Sequence, residues 1–161
     1  QPFVKETLQK LNFQSPTEIQ KSVIPLVYKH RDVIGISQTG TGKTHAFLIP
    51  IMDMIETSAD CVQAVITAPT RELAQQIYDQ AKVFTNYNKN LRVSLIIGGK
   101  DKQKTISKLN VQPHLVIGTP GRIKDLSLEE LKSFSATFEE DIYEFIDYEN
   151  ILNKGIKKNL K

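Results

Sequence analysis

An α/β fold, a mainly parallel sheet with helices on both faces, is what this sequence predicts, and three observations carry that expectation. Short valine- and isoleucine-rich runs alternate with stretches of helical periodicity. Strand and helix patterns follow one another three times, as in a parallel sheet wrapped by crossover helices. The first pair is joined by a glycine-rich loop, "SQTGTGKT" (37–44), lying between an apolar run and an amphipathic one.

Residues 1–31 form a polar-apolar helical prelude, broken by "SPT" (15–17) and Pro25. "DVIGI" (32–36) predicts the first strand and "KTHAFLIPIMDMIE" (43–56) the helix after the loop. "CVQAVITA" (61–68) is the second strand. In "PTRELAQQIYDQAKVF" (69–84), Leu73, Ile77, Ala81 and Phe84 recur at helical spacing, with Thr70 suited to the N-cap. "LRVSLIIGG" (91–99) and "HLVIG" (114–118) read as further strands around a polar helix, "DKQKTISKLN" (101–110). The apolar spacing of Ile142, Phe145 and Ile146 predicts a closing helix. The domain division that follows is a prelude at 1–31 belonging to the lobe, the lobe itself at 32–150, and a basic tail or linker start at 151–161.

A chain of 161 residues, 40% hydrophobic, suits one domain. The net charge of +3 permits a polyanionic partner, but 21 basic against 18 acidic residues is close to ordinary. Cys61 is the only cysteine, which excludes a disulfide framework, and His30, His45 and His114 are scattered without metal-ligand spacing. No apolar run reaches the roughly 18 residues of a membrane span, and "QPFVKETLQK" (1–10) has the wrong charge layout for a signal peptide. The expectation is a cytoplasmic protein.

A strand that turns through glycines into a helix directs backbone N–H groups and the positive helix end at one small volume, where a polyphosphate fits. Gly40 and Gly42 allow close approach, Lys43 can reach the outer phosphates, and the Thr44 hydroxyl can ligate Mg2+. Ser37, Gln38, Thr39 and Thr41 complete the loop. Ser37 stands where the usual pattern has glycine, six positions before the lysine. A phosphate grip does not select a base. Gln20, in "LNFQSPTEIQ" (11–20), carries one amide donor and one acceptor, which match the N6/N7 edge of adenine and mismatch guanine.

With these residues the chain resembles the DEAD-box ATP-dependent RNA helicases, specifically the first of their two RecA-like lobes. Phe13, Pro16, Thr17, Ile19 and Gln20 match that family's adenine-reading Q motif, with Asn12 in place of its usual glycine. Asn tolerates positive φ better than most residues. Phe3 matches the aromatic residue, 17 positions before the glutamine, that stacks near adenine. "SQTGTGKT" is similar to motif I, "PTRELA" (69–74) to motif Ia, Gly98-Gly99 to the GG motif and "TPGR" (119–122) to motif Ib. The resemblance implies a RecA-like P-loop domain that binds ATP and Mg2+. It implies that Pro69, Thr70, Arg71, Gly98, Gly99, Thr119, Pro120, Gly121 and Arg122 line an RNA backbone track without sequence specificity. The residue chemistry is compatible with that. Thr70 and Thr119 each follow a predicted strand at a helix start, Pro120 suits an N1 position, and Arg71 and Arg122 add donors for phosphate.

"KSFSATF" (132–138) resembles motif III, which implies that Ser135 and Thr137 couple nucleotide to RNA and act with Lys43 and Thr44 in catalysis. The family's hydrolysis needs carboxylates, one on the magnesium shell and one for water, which it supplies from Asp-Glu-Ala-Asp at a strand end. That string is missing. Glu129-Glu130 and Glu139-Glu140-Asp141 follow no apolar strand-like run and suit helix surfaces. In the family the acidic strand lies between the segments matched here by "TPGR" and "SAT". Accommodating it takes on the order of 40 residues, against the twelve from Ile123 to Phe134. Either this sequence joins pieces around a missing segment, expected between 126 and 132, or the polypeptide lacks it. The second RecA-like lobe, which completes the ATP site in the family, is not in the sequence, so the fragment alone is expected to hydrolyse almost nothing. Two rivals stand beside an RNA helicase: a small-metabolite P-loop kinase, which leaves "PTRELA", "TPGR" and "SAT" unexplained, and an ATP-gated RNA-binding protein without hydrolysis.

Overall fold

The computed structural model describes residues 1–98, 112–129 and 144–145. Its elements are α1 (Pro2–Lys10), α2 (Glu18–Val27), α3 (Lys43–Met54), β1 (Ala64–Thr67), α4 (Arg71–Thr85), β2 (Val93–Ile96), β3 (Leu115–Gly118), α5 (Pro120–Glu129) and β4 (Glu144–Phe145). The sheet has the order β2-β3-β1-β4, and every pairing is parallel. This is the α/β architecture that the alternating pattern predicts.

Alternation along the strands sorts side chains between two covered faces. Ala64 and Ile66 of β1, Val93 and Leu95 of β2, and Leu115 and Ile117 of β3 join the main core, with Leu48 and Met52 of α3 and Ala74, Ile77, Ala81 and Phe84 of α4. On the opposite face Val65, Ile96 and Val116 meet Ile123 of α5. β3 is buried along its whole length, as a central strand covered on both sides must be. The prelude packs onto this body: α1 against α3 and α4, and α2 against α3.

Helix ends follow the local chemistry. The Thr70 hydroxyl accepts from the Leu73 N–H at 3.1 Å, capping α4. Asn12, at φ 55°, ends α1 in the left-handed region, as its place in the family's glycine position anticipates. Pro25 does not break the prelude; it sits inside α2. Its missing N–H leaves only the Lys21 carbonyl without a helical donor, and both residues are exposed, so water can serve it.

Two further sequence expectations need correction. Residues 32–36 pair with no strand among the described residues. The run still alternates. Val33 joins the cluster of Val23, Val27 and Ala46, and Gly35 faces Ile19 and Val23, while Ile34 and Ile36 are 71% and 75% exposed. Apolar alternation makes a strand only where a neighbour completes the ladder, and among the described residues none does. The tail is the second correction. Where a closing helix is expected, Glu144–Phe145 form a strand, with Val65 opposite Glu144 and Ile66 opposite Phe145. A short run of isoleucine, tyrosine and phenylalanine fits either periodicity, and the open edge of β1 offers a ladder to complete. The expected helix at 101–110 lies outside the described residues. The missing segment expected between 126 and 132 falls on a stretch that passes beyond Glu129, out of the described residues.

Candidate nucleotide and nucleic-acid site

The glycine loop leaves the 32–36 run and enters α3 at Lys43, with Gly40 at φ 82° and Gly42 at φ 90°. Both values lie where L side chains are strained, so the loop's course requires glycine there. A Cβ added at Gly40 would meet nothing within 4 Å, whereas one at Gly42 would stand 2.5 Å from Gln20 Nε2 and 3.2 Å from Thr17 Oγ1. The loop is therefore open at its tip and closely packed at its base.

Side chains brace the loop from within. Thr41 Oγ1 donates to the Gln38 carbonyl at 2.8 Å, so its single hydrogen is committed. Ser37 Oγ, 2.6 Å away, must then donate to Thr41 Oγ1. The serine that departs from the glycine pattern thus has a bracing role. Lys43 Nζ donates to the carbonyls of Ser37 and of Gln38, the latter at 3.1 Å, which holds the ammonium across the loop mouth.

Gln20 is 2% exposed. Its Oε1 accepts from the Thr17 N–H at 3.0 Å and its Nε2 donates to the Gly42 carbonyl at 3.1 Å. One amide therefore ties the start of α2 to the base of the glycine loop, a role the sequence reading missed. The signal was present in "TEIQ" (17–20), a threonine followed three residues later by glutamine, which is a capping-box pattern. Phe13 is half-buried with its ring 4.9 Å from that of His45. Burial there pushes His45 below the usual histidine range. Phe3 does not reach an open face: at 5% exposure it lies in the main core cluster, against which Phe13 packs.

The second group of predicted residues converges through strand register. Thr67 stands opposite Gly118, and Ile96 opposite Gly118, so β1, β2 and β3 end at one level. The segments leaving them, Pro69 to Arg71, Ile97-Gly98 and Thr119 to Arg122, therefore share the carboxyl edge of the sheet. Helices α4 and α5 both begin there, at Arg71 and Pro120. The Thr119 carbonyl accepts from the N–H groups of Arg122 and Ile123 at 3.1 and 3.0 Å. Two helix N-termini and two arginines at one edge make a surface suited to phosphate groups. Gly118 is itself constrained, because a Cβ there would stand 2.1 Å from the Ile96 carbonyl oxygen. Gly99, Ser135 and Thr137 lie outside the described residues. No group of three or more His, Cys, Asp or Glu that could hold a metal occurs among the described residues, and no described helix is long and apolar enough to cross a membrane.

The profile of the DEAD/DEAH box helicase family matches residues 17–137, which takes in the loop, both strand-end motifs and the "SAT" segment. The chain belongs to the DEAD/DEAH box helicase family. Within that family it is 54% identical over 134 residues to the DEAD-box ATP-dependent RNA helicase CshB of Bacillus subtilis, covering 82% of this chain and 31% of the relative. Among solved structures it is similar to the RNA helicase Prp28 from Chaetomium thermophilum bound to ADP, with a TM-score of 0.78, 30% identity, and 100% of this chain and 41% of that one covered. It is also similar to a variant of Dbp5 from S. cerevisiae bound to RNA and ADP BeF3, with a TM-score of 0.75, 25% identity, and coverage of 98% and 38%. The chain spans about a third of the length of the curated DEAD-box relatives it matches. The RecA-like expectation for the fold holds on this comparison, and neither rival reading gains support from it.

Proposed function

We propose that the chain is the ATP-binding, RNA-gripping lobe of an RNA helicase whose full polypeptide uses ATP to clamp and locally separate RNA duplexes. The observation that carries this reading is the phosphate loop, with two left-handed glycines at the start of α3 and its base tied to Gln20. The names of the relatives, ATP-dependent RNA helicases, support it.

In this reading the loop N–H groups between Gln38 and Gly42 receive the phosphates, and Lys43 exchanges the carbonyls of Ser37 and Gln38 for phosphate oxygens. The residues fit the group: the tip is open at Gly40, and the Lys43 ammonium already lies against oxygens of the loop. A bound magnesium ion would supply charge neutralisation at the phosphates, and Thr44, the second residue of α3, would hold it. Gln20, through the second amide hydrogen and second Oε1 lone pair that its bonds to Gly42 and Thr17 leave over, selects adenine together with Thr17, with Phe13 bordering that face and Phe3 backing it from the core. Pro69, Thr70, Arg71, Gly98, Gly99, Thr119, Pro120, Gly121 and Arg122 grip the RNA backbone, positioning a strand without reading its bases. Coupling by Ser135 and Thr137, and completion of the site by a second lobe, belong to the same proposal. So does a cytoplasmic setting.

Lys43→Ala should abolish binding of a fluorescent ATP analogue while leaving the circular dichroism spectrum intact. Unchanged affinity would overturn the phosphate assignment.

A second reading concerns the missing carboxylate, and β4 favours it. This strand lies parallel against β1, and two residues beyond Phe145 the sequence reads Asp147-Tyr148-Glu149-Asn150. We infer that β4 leads into the acidic motif, with Asp147 at its first position and Tyr148 where the next acid stands. No inserted segment is then needed between 126 and 132, and Ser135-Ala136-Thr137 would not be the coupling element. Asp147→Asn should remove the enhancement of ATP affinity by magnesium. If that enhancement persists, the missing-segment reading is preferred.

A further inference from the structure

We propose that Gly98 is a positioning residue for Arg71: the absence of a side chain at the end of β2 forms the seat that aims the arginine guanidinium over the carboxyl edge of the sheet. The inference rests on the reading of that edge as the path of an RNA backbone. Its physical basis is local. A Cβ added at Gly98 would stand 2.8 Å from Arg71 Nη2, 3.3 Å from Cζ and 3.4 Å from Nε. Three atoms of one planar group lie against the glycine, so the guanidinium rests on it and does not merely touch it at a tip. Gly98 does not have the positive φ that marks Gly40 and Gly42. Glycine is therefore needed at 98 for the space it leaves and not for the backbone conformation it permits.

The seat matters because Arg71 is exposed and is the first residue of α4. A long side chain in solvent samples many rotamers, and holding one of them against a flat surface removes part of the entropy cost of a phosphate contact. Resting on Gly98 keeps the guanidinium at the level where β1, β2 and β3 all end, since Ile96 and Thr67 are both in register with Gly118. From there its donors and the N-termini of α4 and α5 can serve consecutive phosphates of one strand.

The atoms that a methyl at 98 would displace belong to the far end of a flexible side chain, in contrast to Gly118, where the obstacle is the backbone oxygen of Ile96. Gly98→Ala should therefore fold normally and move only Arg71. The test is a double-mutant cycle in the 161-residue chain, reading binding of a fluorescein-labelled decauridylate by anisotropy at low salt with ATP and magnesium present. Arg71→Ala is expected to weaken binding about tenfold, as loss of one charged phosphate contact does, and to reduce the slope of log K against log salt by about 0.7. Gly98→Ala is expected to reproduce at least half of that loss in log K with an unchanged melting temperature. The double variant should bind no more weakly than Arg71→Ala alone. Additive losses, a normal affinity for Gly98→Ala beside a weakened Arg71→Ala, or a lowered melting temperature for Gly98→Ala would each overturn the seat while leaving the RNA path standing. No effect of Arg71→Ala, or no binding by the unmodified chain, would overturn both.

Discussion

Replacing Gln20 by alanine isolates the clasp between the start of α2 and the phosphate loop. The side chain is 2% exposed and makes two hydrogen bonds, at 3.0 Å from the Thr17 N–H and at 3.1 Å to the Gly42 carbonyl. Thr17 is exposed, so its N–H can be rehydrated, and its bond costs near the net value of about 1 kcal/mol. Gly42 is half-buried, and its carbonyl loses an interior donor at about 1–2 kcal/mol. The sum is about 2–3 kcal/mol, which for a chain of this size lowers Tm by about 4–12 °C. Thermal unfolding followed by circular dichroism measures it, and nucleotide affinity should fall in the same variant because the loop base is released. Gln20→Glu sharpens the test. It keeps the acceptor facing Thr17 and sets a carboxylate oxygen against the Gly42 carbonyl, so its defect should ease as the pH falls through the carboxyl range near about 4.3, where a protonated oxygen can donate again. If Gln20→Ala melted within 1 °C of the unmodified chain, the claim that this amide fastens the loop would be wrong.

Other outcomes follow from the packing. Gly118→Ala places a methyl 2.1 Å from the Ile96 carbonyl oxygen, and the strands must part to admit it. A loss of about 3 kcal/mol or more is expected, seen as a lower midpoint in urea unfolding; a neutral result would mean that the β2 to β3 register is wrong. Stability should also fall as the pH drops below about 6.5. His114 is fully buried, with Nδ1 accepting the Arg92 N–H at 3.1 Å, so Nε2 carries the proton that it donates to the Ala59 carbonyl at 2.9 Å. Burial, and then the Arg92 charge, hold it below the usual histidine range. With the folded value lowered, the unfolded chain binds the proton first. Stability is therefore full above the unfolded value and declines below it. His45 is shifted in the same direction and adds to the slope. His114→Asn should flatten part of that pH dependence, and a slope identical to that of the unmodified chain would refute the tautomer assigned here.

Much of the site was legible in the residues because its chemistry is local. The turn of "SQTGTGKT" needs positive φ at Gly40 and Gly42, and the cap at Thr70 needs only its own helix. The same holds for Asn12, whose side chain tolerates the conformation that ends α1. Two predictions that depended on a neighbouring strand failed, although those for β1, β2 and β3 held. Residues 32–36 have the alternation of a strand but no ladder among the described residues, and residues 144–145 looked helical until β1 supplied one.

Sequence order alone determined the α/β class, the course of the glycine loop and the helix starts at the strand ends, because periodicity, glycine placement and caps are written within a few consecutive residues. Contacts across 22 or more positions had to come from packing. The Gln20 amide reaches Gly42, Gly98 is empty so that Arg71 can lie on it, and the ends of three strands share one level. Such pairings depend on where the chain folds back on itself, and burial of the faces along β1, β2 and β3 sets that register. A one-residue slip would turn every core side chain to the wrong face.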